Sequence, residues 1–310
     1  MRIIFINFIF PSKPITMNTL KLYFLIIFSG SAFNLFSQVD SNQLYEVHLF
    51  HKKFIIGNIV QINSENIVAI SLNGKQDTIN KDLIRWIEPI DAANIIKGEH
   101  WYPNPLPGNY FFQPSGLPLA KGDINVKQSY LFFNSFNYGL TKNISLGAGF
   151  QNVVNPEKNY GYDYLYYLNT KFTFKLDELV YVGGGGNYYQ LAGSSLPPQF
   201  LSYLNIGLGN TNNNLTITGG LISGDDTHPY GSLSGMVRIK KHLWIISENA
   251  FGIVENEFYF LGGLRINERV FTADIGIMYA GPSYVEWVPI LPYLSYTVTL
   301  PAYLRNTVKF

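Results

Sequence analysis

The chain has 310 residues, and its 22 Lys and Arg nearly cancel 21 Asp and Glu, so it offers no basic surface for nucleic acid. It contains no Cys, which excludes disulfides, thiol chemistry and lipoprotein-type acylation. Charged residues make up 14% and aromatics 16%, a balance unlike that of an ordinary soluble domain.

Residues 1–37 read as a secretory signal peptide, starting at Met1 or Met17. Lys21 precedes the apolar run Leu22–Phe28, and small residues follow up to a cut near Ser37–Gln38. The competing reading is one membrane helix anchoring a soluble domain, but the run is short for that.

Residues 38–90 read as a small β-unit. Strands are expected at Leu44–Phe50, Lys53–Asn63, Asn66–Leu72, Gln76–Asn80 and Ile84–Ile87. Asn73-Gly74 between alternating runs signals a hairpin, and Gly57 marks a bend or bulge. This succession of short, bent strands resembles the SH3-like and Sm-like small barrels. The plain reading of the segment is a periplasmic spacer or docking module, which leaves room for a periplasmic partner. RNA binding is not expected, because the segment lacks a basic cluster and follows an export signal.

Residues 91–108 read as a linker stiffened by Pro103, Pro105 and Pro107. Trp101 and Tyr102 suit either a membrane–water interface or packing on the small domain.

From Asn109 to the end the chain reads as an all-β, antiparallel, up-and-down transmembrane barrel of about twelve strands, range ten to fourteen. The strand candidates are Asn109–Leu119, Ile124–Tyr138, Ile144–Val154, Asp163–Phe174, Leu179–Gln190, Phe200–Gly209, Leu215–Ile222, Tyr230–Ile239, Leu243–Ile253, Phe258–Ile266, Val270–Tyr279 and Val288–Leu300. Pro114 and Pro118 make the first of these an unusual strand. Within the third, Ile144, Leu146, Ala148 and Phe150 share one face, and Ser145, Gly147, Gly149 and Gln151 share the other. Small polar residues opposite an apolar face point to lipid outside. Short polar turns alternate with longer loops, and an even strand count returns both barrel ends to the periplasmic side.

The runs YFFQPSGLPLAKG at Tyr110–Gly122 and YGLTKNISLGAG at Tyr138–Gly149, with the repeated alternation, resemble outer-membrane β-barrel proteins of Bacteroidota. The terminal Thr307-Val308-Lys309-Phe310 resembles the aromatic-ended signal read by the barrel-insertion machinery. That resemblance implies the outer membrane of a Gram-negative bacterium, with outer-membrane lipid as surroundings and the N-terminal domain periplasmic. It carries over no cofactor and no catalytic or ligand residue. Either Tyr303–Phe310 is the last strand, or Tyr293–Leu300 closes the barrel and the tail extends beyond it.

Alternation points Lys171, Arg238, Glu248, Arg265 and Asp274 into the lumen. Hairpin geometry sets Arg238 and Arg265 near the periplasmic end, with Glu248 and Asp274 roughly four residues higher. These charges read either as ion pairs filling a narrow lumen or as a constriction that selects ions or small polar solutes. In an outer loop, Asp225, Asp226 and His228 could take a divalent cation or activate water; a merely solvated acidic loop is the plain reading. Gly183–Gly186 precede no helix and no Lys-Ser/Thr pair, so they read as strand glycines making room for lumen side chains.

The expectation is a non-enzymatic outer-membrane barrel, either a narrow pore or an anchor for a periplasmic module. Two alternatives are a barrel-embedded hydrolase using His228 with Asp225 or Asp226, and a soluble secreted barrel binding an apolar ligand. The last requires an apolar interior and a polar exterior.

Overall fold

The computed structural model describes residues 43–50, 54–130, 133–155, 161–192, 197–224, 226–252, 258–281 and 290–302. The signal segment 1–37, Asp225, the tail Tyr303–Phe310 and most of the long loops lie outside the described residues. The described residues form one compact unit.

Strands β1 (Leu44–Leu49), β2 (Phe54–Ile62), β3 (Asn66–Ser71), β4 (Gln76–Asn80) and β5 (Ile84–Ile90) form one sheet in the order β4-β3-β2-β1-β5. Tyr45, Val47, Ile59, Ile67, Ile79, Ile84 and Ile87 make its core. Gly74 turns the β3–β4 hairpin with φ +80°, a conformation in which a side chain would be strained. Register shifts in this sheet fall between Ile59 and Gln61 and between His48 and Leu49, not at Gly57. Gly57 is instead a site of close approach, where a Cβ would meet the Ile70 carbonyl oxygen at 2.2 Å. Beyond the sheet, β6 (Ile95–Ile96) and β7 (Glu99–His100) form a minimal ladder.

Twelve strands close the barrel: β8 (Ile124–Ser129), β9 (Phe133–Gly139), β10 (Ile144–Asn155), β11 (Gly161–Asp177), β12 (Val180–Ala192), β13 (Gln199–Gly209), β14 (Asn214–Ser223), β15 (Thr227–Lys240), β16 (Leu243–Phe251), β17 (Phe258–Glu268), β18 (Phe271–Gly281) and β19 (Ile290–Leu300). Each pairs antiparallel with its chain neighbour. β19 returns to β8, from Ser295 opposite Ser129 to Leu300 opposite Ile124. The ladder therefore closes through Tyr293–Leu300.

The barrel is apolar outside. Leu204 is 75% exposed and Ile277 61%, whereas Glu248, Arg265 and Asp274 are fully buried. Leu146, Phe172, Ile206 and Ile275 join the outward band, while Asn205 and Asp274 point inward. A continuous apolar band on a closed ladder with no free edge is the architecture of a membrane-spanning barrel. It is the reverse of the soluble, apolar-centred alternative.

Two expected strands are corrected. Asn109–Leu119 is not a wall strand: it contributes one isolated bridge, Asn109 to Pro114, and its side chains lie inside the barrel. Ile124–Tyr138 is not one strand but two, β8 and β9, parted near Tyr130, whose φ of 52° turns the chain. One strand is lost and one gained, so the count remains twelve, and the barrel begins at Ile124 rather than Asn109.

Candidate functional site

The lumen is filled from one end by the chain that precedes the barrel. Asn104 enters beside the short turns, donating to the Thr211 carbonyl (2.9 Å) and accepting from the Asn267 amide (3.2 Å). Residues 104–119 then run inward and return as an irregular hairpin, closed by Tyr110 N–H to the Gln113 carbonyl (3.0 Å) and Ser115 N–H to the Gly108 carbonyl (2.9 Å). Prolines suit this segment because no ladder asks for their missing N–H.

The tip of this hairpin is built around a charge. Backbone N–H groups of Phe111, Phe112 and Gln113 all donate to Glu248 Oε2, at 2.8, 2.9 and 3.0 Å. Three successive amides converging on one carboxylate oxygen form an anion-binding nest. Tyr259 donates its hydroxyl to the other oxygen (2.8 Å) and accepts from the Gln113 side-chain amide (2.7 Å).

Arg265 holds the stem. Its guanidinium pairs with Asp274 through Nε (2.7 Å) and Nη2 (3.1 Å). It also donates to the carbonyls of Leu106 (3.3 Å), Asn109 (2.9 Å) and Tyr110 (2.8 Å). All five guanidinium N–H groups therefore have partners, which is what makes a fully buried Arg tolerable. Lys127, on β8, donates to the Phe111 carbonyl and lies 3.9 Å from Asp274. Lys171 donates to the carbonyls of Leu117 (2.5 Å) and Gly108 (3.2 Å).

Apolar packing completes the seat. Tyr110 and Phe111 bury against Met236, Trp244, Ile246, Leu261 and Tyr293 from β15–β17 and β19. On the opposite wall Gly116 and Gly207 touch backbone to backbone. A Cβ on Gly116 would stand 2.3 Å from the Gly207 Cα, so neither position has room for a side chain.

Of the lumen charges expected from sequence, Lys171, Glu248, Arg265 and Asp274 face the interior and meet around the hairpin. Arg238 does not join them. It lies at the short-turn rim, sandwiched between the rings of Trp101 (4.8 Å) and Trp244 (4.4 Å), and donates to Asn212 (3.2 Å) and the Lys241 carbonyl (2.5 Å). Asp274 also sits directly opposite Arg265, not four residues higher, because the β17–β18 turn is tight. Sequence reasoning missed Lys127, although it alternates inward with Asn125 and Ser129. In the loop constellation, Asp226 is exposed, His228 is half-buried on β15 opposite Ile222, and Asp225 lies outside the described residues. Gly183–Gly186 lie on β12. Gly183 and Gly185 face inward, where a Cβ would meet Asn205 Oδ1 at 2.8 Å and the Tyr203 hydroxyl at 2.6 Å.

A second cluster joins the small sheet to the barrel. Glu46 accepts from His100 Nδ1 (2.5 Å) and the Tyr102 hydroxyl (3.2 Å) and faces His48 Nε2 (3.6 Å). Glu88 takes His48 Nε2 at 3.2 Å and pairs with Arg269 from the β17–β18 turn. The linker aromatics are thereby divided, with Tyr102 on the small sheet and Trp101 on the barrel rim. Glu46, His48 and Glu88 present ligand atoms within 4.8 Å of one another, but Arg269 already supplies Glu88 with a cation. Burial works to raise the Glu46 carboxyl, yet hydrogen bonds from His100 and His48 outweigh it and hold it at about 2. Burial likewise opposes a proton on His48, but Glu46 and Glu88 outweigh it and raise its pKa.

This cluster predicts a pH window for the small sheet. The Glu46 contribution is complete above an unfolded carboxyl pKa of about 4.3 and is lost as pH falls toward the folded value. The His48 contribution is complete below about 6.5 and is lost as pH rises through the raised folded value. Stability of the sheet, followed by fluorescence of Trp86 stacked on His48 (4.4 Å), should therefore peak between those limits. His48→Gln should flatten the alkaline limb; an unchanged profile would rule out His48 as its source.

No protein-family profile matches the chain, and no curated protein matches it in sequence. Among solved structures, the KdgM porin is similar at 7% identity and TM-score 0.41, covering 57% of this chain and 95% of its own. The NanC porin is similar at 14% identity and TM-score 0.37, covering 61% and 98%. The translocator domain of the autotransporter NalP from Neisseria meningitidis is similar at 10% identity and TM-score 0.34, covering 57% and 85%.

Proposed function

We propose that this chain is a non-enzymatic integral protein of a Gram-negative outer membrane. In this reading it anchors a small periplasmic β-module and does not conduct solute. The observation that carries the reading is the hairpin 104–119, tied to opposite walls by Glu248 and Arg265 on one side and Lys171 on the other. A hairpin tied to both walls narrows the lumen, and the same hydrogen bonds fix the module to the barrel. The module is read as SH3-like, with the sheet edges left to a periplasmic partner, and Phe310 as the handle for the insertion machinery.

Planar bilayers test this. The purified protein should insert without discrete conductance steps. Reproducible steps of constant size from the unaltered protein would refute the anchor reading and restore the narrow pore.

A further inference from the structure

The plug does not fill the lumen evenly. Between it and the wall formed by β8–β13 remains a cavity of about 260 Å³. Among the described residues no carboxylate lines it. Its polar lining is Lys127, Lys171, five Asn, three Ser and three Tyr, with Phe111, Phe112 and Phe133 among the apolar contributors. The cavity extends toward the long-loop end, where Phe133 stacks on Tyr167 at 5.3 Å.

Two groups in this lining are incompletely used. Lys171 is buried and has three N–H donors, of which the Leu117 and Gly108 carbonyls take two. No carboxylate pairs with it among the described residues, so its charge meets only carbonyl dipoles. A buried cation without a counter-charge is costly. Asn125 is 97% buried, since its exposure is 3%, and its Oδ1 accepts no hydrogen bond. Lys171 thus calls for an anion, and both residues line the same cavity.

We propose that this cavity binds a small hydroxylated carboxylate, with the carboxylate on Lys171 Nζ and its hydroxyls on the amides along the wall. Asn137, Asn169 and Asn187 are among those amides. The site faces away from the small sheet, and it holds whether the barrel is sealed or conducting.

Isothermal titration of the full chain in detergent micelles tests the proposal, using D-gluconate as probe and sorbitol as its uncharged counterpart. Gluconate should bind saturably at one site, and sorbitol should give no saturable heat. Lys171→Met should weaken gluconate by about tenfold or more, the worth of a charged hydrogen bond. No saturable gluconate binding, equal binding of sorbitol, or unchanged affinity in Lys171→Met would each overturn the proposal. Lys171 also holds the plug, so Asn169→Leu serves where that variant fails to fold. It removes a wall amide without touching the hairpin, and unchanged gluconate affinity there would count equally against the site.

Discussion

Glu248→Ala is expected to turn a silent barrel into a conducting one. The substitution removes the acceptor for three backbone amides at the hairpin tip and for the Tyr259 hydroxyl. Each donor left without a partner in a buried site costs about 1–3 kcal/mol. Together these losses approach the whole stability of an ordinary domain, about 5–15 kcal/mol. The wall does not depend on them, because its ladders are backbone to backbone. The least costly outcome is therefore release of the tip into water, with the barrel intact. Bilayer recordings should show discrete steps absent from the unaltered protein, while the folded band on an unheated gel persists. Glu248→Gln keeps an oxygen for the three amides and should stay mostly silent. A folded Glu248→Ala barrel that is as silent as the parent would show that the nest does not hold the plug.

Arg265→Ala should damage the barrel itself. It strips Asp274 of a bidentate partner and leaves that fully buried carboxylate with Ser295 at 3.2 Å and Lys127 at 3.9 Å. Breaking a buried ion pair from one side typically costs about 3–5 kcal/mol. Three plug carbonyls lose the guanidinium as a donor at the same time. The midpoint of heat-induced unfolding on gels should fall markedly. Arg265→Met combined with Asp274→Leu removes both charges, and exchanging a buried pair for apolar groups is often nearly neutral. That double variant should recover the barrel's midpoint but not the seating of the stem, which still lacks its donors. If the double variant unfolds as early as Arg265→Ala, the orphaned carboxylate is not the cause.

Much of the architecture can be read from alternation. Leu146 and Phe172 outward, and Ser145 and Lys171 inward, follow from the two-residue period of a strand. So do the inward charges at Glu248, Arg265 and Asp274. Arg238 shares that periodicity, but it lies two residues from the end of β15, where an inward face opens onto the rim and Trp101 can cover it. Periodicity assigns a face and leaves the depth to the length of each strand.

The segment Asn109–Leu119 shows where local pattern stops. Its length and aromatic content match a wall strand, and Pro114 and Pro118 are the only local sign against one. Likewise nothing local explains why Met236, Trp244, Ile246 and Leu261 break up the polar lumen face; they are there to pack against Tyr110 and Phe111. Alternation is a property of neighbouring residues, and it suffices for an apolar outside and a closed ladder. Occupancy of the lumen depends on groups far apart in the chain: Phe111 N–H finds Glu248 across 137 residues, and Arg265 finds Tyr110 across 155. A buried charge specifies only that some partner must come. Closure of the barrel, which brings its walls to within hydrogen-bonding distance of the returning chain, selects which one.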